Sequence, residues 1–234
     1  MTAHSSSEER LAAVRQRIQS AAQLAGRSTD SITLIAVSKQ QTIAAITDLA
    51  DLGQRDFGEN YLQEALDKID ALRSRALTWH FIGQLQSNKT RAVAEHFDWV
   101  HTVDRLKIAA RLSEQRPFHA PPLQVCVQVK LGEEDTKGGT LPEELPELLD
   151  AIAALPRLQV RGLMAIPPAE TDPLRQRSWF AMLHRLFVAA RARHPQLDTL
   201  SMGMSADLEA AIAEGATHIR IGTALFGERL QSPA

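Results

Sequence analysis

Lys39 closes an apolar run, LIAVSK (34–39), that reads as a buried strand ending in a long cationic amine. A lysine after a strand is ordinarily a solvated side chain or half of a surface ion pair. Held in an apolar mouth it changes character, because loss of water disfavours the ammonium and leaves a neutral amine able to attack an aldehyde. Two stretches far along the chain supply a partner chemistry. SMGMSADLE (201–209) and RIGTALFG (220–227) carry Ser201, Gly203, the turn at Met204 and Ser205, Gly222 and Thr223. Hydroxyls and small residues of this kind let backbone N–H groups approach an anion. Each stretch alone is an ordinary turn, but the two together with Lys39 suggest a phosphorylated aldehyde, and pyridoxal 5′-phosphate meets that description. Arg220 shares a strand face with Gly222. A guanidinium keeps its proton, so against a pyridine nitrogen it donates a hydrogen bond and leaves the ring a poor electron sink. An arginine at this place also suits a plain structural role, pairing with a nearby acid.

These residues need a scaffold that brings positions 39, 201–205 and 220–223 together. Apolar stretches that read as buried parallel strands recur at 32–39, 56–60, 78–83, 99–104, 123–131, 158–167, 199–204 and 218–225. Helix-like segments lie between them, one ending at Gly215 as a C-cap. The alternation predicts an α/β fold, a single (β/α)8 TIM barrel over residues 1–234, with a doubly wound open sheet as the competing architecture. Little chain follows the eighth strand, so the amphipathic segment 7–25, with Leu11, Val14, Ile18, Ala22 and Ala25 on one stripe, is expected to pack where the last helix would lie. In a barrel the site forms at the carboxyl ends of the strands, and phosphate is often held after strands seven and eight. The predicted ends are polar: Lys39, Asn60, His80, Gln84, His101, Asp104, Lys130, Ser201, Ser205, Arg220, Gly222 and Thr223. Buried polar groups need partners, and several on one mouth suggest that a ligand provides them. His80 also suits a core histidine bonded to backbone.

Composition narrows the partners. Lys and Arg number 26 against 28 Asp and Glu, a net charge of −2, which offers no basic stripe for nucleic acid and no polybasic membrane anchor. No apolar run approaches the roughly 20 residues of a membrane span. The one cysteine, Cys126, lies in LQVCVQV and reads as a buried thiol. No His-x3-His pair, H-E-x-x-H, Walker A loop or G-x-G-x-x-G occurs. A cytoplasmic protein with a small-molecule partner is expected.

LIAVSK (34–39), FGENYLQE (57–64), WHFIGQLQSNKTRAV (79–93), GLMAIP (162–167), LSMGMSADLE (200–209) and IRIGTALFG (219–227) resemble, in order and over nearly the whole chain, the pyridoxal phosphate homeostasis protein family. That family is itself similar to the barrel domain of alanine racemase, a fold-type III cofactor barrel. The resemblance implies Lys39 as the Schiff-base lysine and Arg220 as the partner of the pyridine nitrogen. It implies Ser201, Gly222, Thr223 and the backbone at Met204 and Ser205 around the phosphate, with Asn60 and His80 lining the cofactor. It also implies a non-catalytic carrier in vitamin B6 homeostasis, with apo-enzymes as candidate recipients; a monomer is expected because the racemase's second domain, which carries the usual dimer contact, is missing. Two departures stand out. Lys130 occupies the place of an asparagine, before a loop in which Lys137 keeps the family's lysine, and a secondary cofactor contact at either is left open. Ala206 stands where aspartate is common. A two-base racemase needs an acid–base group on each face of the cofactor. The single tyrosine, Tyr61, opens the second helix instead. The remaining alternatives are a fold-type III amino-acid racemase, a Schiff-base aldolase acting on a ketose phosphate, and a phosphate-binding barrel in which Lys39 is a counter-ion.

Overall fold

The computed structural model describes residues 6–132 and 138–227. The strands are β1 (Thr33–Val37), β2 (Asp56–Glu59), β3 (Thr78–Phe81), β4 (Trp99–Val103), β5 (Leu123–Gln128), β6 (Leu158–Met164), β7 (Thr199–Ser201) and β8 (His218–Ile221). All eight pair in parallel and in sequence order, and β8 closes on β1. The helices are α1 (Ser7–Leu24), α2 (Ile43–Asp51), α3 (Leu62–Ala71), α4 (Thr90–His96), α5 (Leu106–Gln115), α6 (Leu145–Ala153), α7 (Pro173–Arg191), α8 (Leu208–Ala213) and α9 (Thr223–Phe226). This is the (β/α)8 barrel expected from the strand spacing.

Every predicted strand runs past the observed one at its carboxyl end. The final residues of each apolar run leave the ladder, and Lys39, Asn60 and Ile82 turn into the mouth of the barrel. Alternation along the strands sorts the rest. Phe57, Phe81 and Val100 are fully buried in the core between strands and helices. His80, His101 and Trp99 lie inside the barrel against His218.

Helix α1 starts on a capping box between Ser6 and Glu9 and buries Leu11, Val14, Ile18, Ala21 and Ala22. It packs on α2, α8 and α9, and Arg10 Nε donates to the Leu225 carbonyl at 2.7 Å. Since α8 follows β7 and α2 follows β1, α1 fills the gap in the helical ring beside the four-residue α9.

Glycine allows two close approaches that matter to the mouth. A Cβ on Gly83 would stand 2.2 Å from the Asn60 carbonyl oxygen, so only glycine lets the chain after β3 press against Asn60. Gly203 holds φ at +94°, and its carbonyl accepts the Arg220 N–H at 3.0 Å.

Candidate functional site

A cavity of about 310 Å³ opens at the carboxyl ends of the strands. Its wall is formed by Lys39 after β1, Asn60 after β2, Arg220 on β8, the turn at 204–206, and Gly222 with Thr223. The apolar part comes from Val37, Ile82 and Ile166.

Lys39 is presented by a bend. Gln40, the next residue, has φ +60°, and among the described residues it is the one non-glycine with positive φ. Such conformations persist where surrounding contacts dictate them. Here the Gln41 N–H donates to the Ser38 carbonyl at 3.0 Å, and the Gln40 N–H to Glu64 Oε1 at 2.5 Å. Behind the bend lies a charge network. Lys68 Nζ donates to the Ser38 carbonyl at 2.6 Å, to Glu59 Oε1 at 2.7 Å and to Glu64 Oε1 at 2.5 Å. The Ser38 hydroxyl donates to the same Glu59 oxygen at 2.6 Å. Glu59 is fully buried and Lys68 is 3% exposed. Burial pushes the Glu59 carboxyl up, against the opposite pull of Lys68 and Ser38.

Arg220 is also buried. Its Nη1 donates to Ser201 Oγ at 2.7 Å and its Nη2 to the Ala165 carbonyl at 3.0 Å. Burial lowers its guanidinium to about 10, which leaves it charged near neutrality. Across the mouth, Met204, Ser205 and Ala206 form the turn before α8, and Arg17 Nη2 reaches from α1 to the Ser205 carbonyl at 3.0 Å. Asp207 Oδ1 accepts the Met204 N–H at 2.6 Å. That amide is therefore committed to the protein, which leaves Ser205, Ala206, Gly222 and Thr223 as the residues of the two turns placed for an anion.

Two of the predicted site residues lie off the cavity wall. His80 and Ser201 do not line the cavity. His80 points inward from mid-strand, one level below the mouth, between Asp56 and His101. Ser201 lies beneath Arg220 and supports it. Lys130 is half-buried after β5, its N–H donating to the Thr140 carbonyl, away from the cavity wall. Lys137 falls outside the described residues. Sequence reasoning missed the Ser38, Glu59, Glu64 and Lys68 network. The signal for it was a carboxylate at an outward position of a buried strand.

The wall suits a phosphorylated pyridine aldehyde. Asn60 Oδ1 is buried with no partner among the described residues, so a ligand donor is wanted there. At Gly222 a Cβ would meet only Val37, at 3.5 Å or more. Nothing within the protein crowds that position, and the absent side chain leaves room in the cavity. No group of His, Cys, Asp and Glu among the described residues could hold a metal.

Fold and site together define a (β/α)8 barrel that presents a lysine, a buried arginine and two small-residue turns at one mouth. Residues 10–230 match the alanine racemase N-terminal domain family. The chain is 57% identical over 221 residues to the pyridoxal phosphate homeostasis protein of Pseudomonas aeruginosa, covering 94% of this chain and 95% of that one. It is 53% identical over 222 residues to the protein of that name from Escherichia coli K12, with the same coverage. The solved structure of PipY from Synechococcus elongatus with PLP bound superimposes with a TM-score of 0.84 at 40% identity, covering 95% of this chain and 100% of that one. The chain belongs to the pyridoxal phosphate homeostasis protein family.

Proposed function

We propose that this chain binds pyridoxal 5′-phosphate as a Schiff base on Lys39 and serves as a cytoplasmic carrier of the cofactor, delivering it to apo-enzymes without catalysing a turnover of its own. The observation that carries the reading is the convergence of Lys39, Asn60, Arg220 and the turns at 204–206 and 222–223 on one cavity. The PLP-bound relative supports it. The amine adds to the aldehyde carbon and water leaves, so the nitrogen attacks in its unprotonated form.

A racemase is the rival reading. Proton transfer on both faces of a cofactor needs two acid–base groups. Among the described residues, no Tyr, His, Cys, Asp or Glu lines the cavity. Tyr61 is exposed at the start of α3 and is not among the wall residues. Arg220 opposite the ring nitrogen would further slow carbanion chemistry.

The test is the absorption spectrum of purified protein, followed by borohydride reduction and peptide mapping. A band that vanishes on reduction, with the pyridoxyl mass on Lys39, is the expected result. A protein that stays colourless with added PLP would overturn the reading. Exchange of the α-proton of an amino acid would return the racemase to the front.

A further inference from the structure

A chain of hydrogen bonds crosses the barrel interior. Asp56 Oδ1, at the start of β2, lies 3.0 Å from His80 Nε2. His80 Nδ1 lies 2.9 Å from His101 Nε2, and His101 Nδ1 lies 2.8 Å from Ser201 Oγ. Ser201 Oγ in turn meets Arg220 Nη1 at 2.7 Å. His80, His101 and Ser201 are fully buried. The chain therefore joins the amino-terminal face of the barrel to the cavity at the other end.

Its polarity follows from the two ends. A guanidinium only donates and an ionised carboxylate only accepts. Ser201 must accept from Arg220, so its own proton is free to go to His101 Nδ1. His101 then carries its proton on Nε2 and gives it to His80 Nδ1. His80 likewise carries its proton on Nε2 and gives it to Asp56. Each donor finds one acceptor, with both rings neutral. Burial, and next the neighbouring His80, His218 and Arg220, hold His101 well below the ordinary histidine range, in keeping with a neutral ring. The stacked Trp99 and the nearby His218 hold the two rings in place.

We infer that this one-way relay makes Asp56 a positioning residue for Arg220, acting through His80, His101 and Ser201 from the opposite end of the barrel. Without an acceptor at position 56, the His80 proton has no partner and the rings lose the reason to keep their tautomers. In the reversed chain His101 Nδ1–H and Arg220 Nη1–H share the Ser201 oxygen, so the Nη1 bond weakens and the Nη2 bond to the Ala165 carbonyl is left as the one uncontested anchor of the guanidinium among these contacts. The functional side of the inference rests on the proposed binding of PLP, whereas the relay itself involves protein groups alone.

The experiment begins with cofactor-free protein labelled with 15N in histidine and arginine. Imidazole spectra are expected to show Nε2–H tautomers for His80 and His101, and resolved, slowly rotating guanidinium signals for Arg220. Asp56→Ala should disturb both tautomers and average the Arg220 signals. Asp56→Asn, whose side-chain oxygen still accepts, should keep them. With PLP, Asp56→Ala should bind about tenfold more weakly, with a shifted absorption maximum, the equivalent of losing one well-placed hydrogen bond. Asp56→Asn should stay within about threefold of the parent. An Nδ1–H tautomer in either ring, or Arg220 signals unchanged in Asp56→Ala, would overturn the relay, and circular dichroism checks that each variant is folded. Expected tautomers in a protein that takes up no PLP would sustain the relay and sink the carrier reading instead.

Discussion

Replacing Lys68 by methionine removes one charge from a network that has almost no water. Methionine keeps most of the apolar length and fills the space, so the change isolates the ammonium. Of the carboxylates that Lys68 meets, Glu64 has a side chain 30% exposed and Glu59 one that is 0% exposed. The first can turn to solvent and should contribute little, about 0–1 kcal/mol. The second is left as a buried charge holding only the Ser38 hydroxyl, a loss of about 3–5 kcal/mol. With a urea slope near the top of the usual range, the midpoint should fall by about 1–2 M at pH 7. Glu59→Gln in the same chain removes the stranded charge, so the double variant should recover about 2 kcal/mol or more relative to the sum of the singles. The pH dependence supplies a sign. Burial already raises the folded-state Glu59 carboxyl above its ordinary value, and loss of Lys68 raises it further. Between the unfolded and the folded pKa the folded variant binds a proton that the unfolded chain does not, so its deficit grows as pH rises through that window and shrinks as pH falls below the folded Glu59 pKa. A loss below about 1 kcal/mol, or strict additivity in the double variant, would refute the assignment of Lys68 as the counter-charge of Glu59.

Three further outcomes are expected. Burial pushes the Cys126 thiol well up, so it should ignore a thiol reagent in the native protein and react on unfolding; rapid native labelling would contradict its place in the core. His218 is lowered by burial to about 3, so the folded state stays neutral where the unfolded chain charges; stability is full above the unfolded pKa and declines as pH falls, and in urea titrations His218→Asn should remove about 1.4 kcal/mol per pH unit of that decline between roughly pH 6 and 4. Gly83→Ala would set a Cβ 2.2 Å from the Asn60 carbonyl oxygen, so Asn60 must shift; a loss of about 1–3 kcal/mol by denaturant melts, with weaker PLP uptake, is expected, and a neutral substitution would contradict the close approach.

The barrel was legible because strands buried on both faces read as continuous apolar runs, and ITLIAVSK, WHFIG and LQVCVQV carry that signal plainly. Where the strands stop was not legible. The same apolar residues continue past the last ladder bond into the cavity wall, as Ile82 does. Lys39, Asn60, Arg220, Gly222 and Thr223 meet on one cavity wall because each ends or follows a strand and the fold sends those ends to one mouth. His80 and Ser201 were assigned to the same wall because periodicity gives the direction of a side chain but not its depth along the barrel axis. Glu59, Glu64 and Lys68 were passed over for another reason. Glu59 falls near the end of a predicted strand while Glu64 and Lys68 resemble the solvated face of a helix, and only the approach of α3 to the ends of β1 and β2 brings them together and buries Glu59 and Lys68.

The position of α1 has a consequence during synthesis. Its stripe of Leu11, Val14 and Ile18 packs on α8 and α9, and the bond from Arg10 to Leu225 spans 215 residues. At elongation of about 5–20 residues per second, that interval is roughly 10 to 40 s. For all of it, α1 has no ring to close. Its apolar stripe stays in water until α8 and α9 arrive to cover it and β8 seals the barrel.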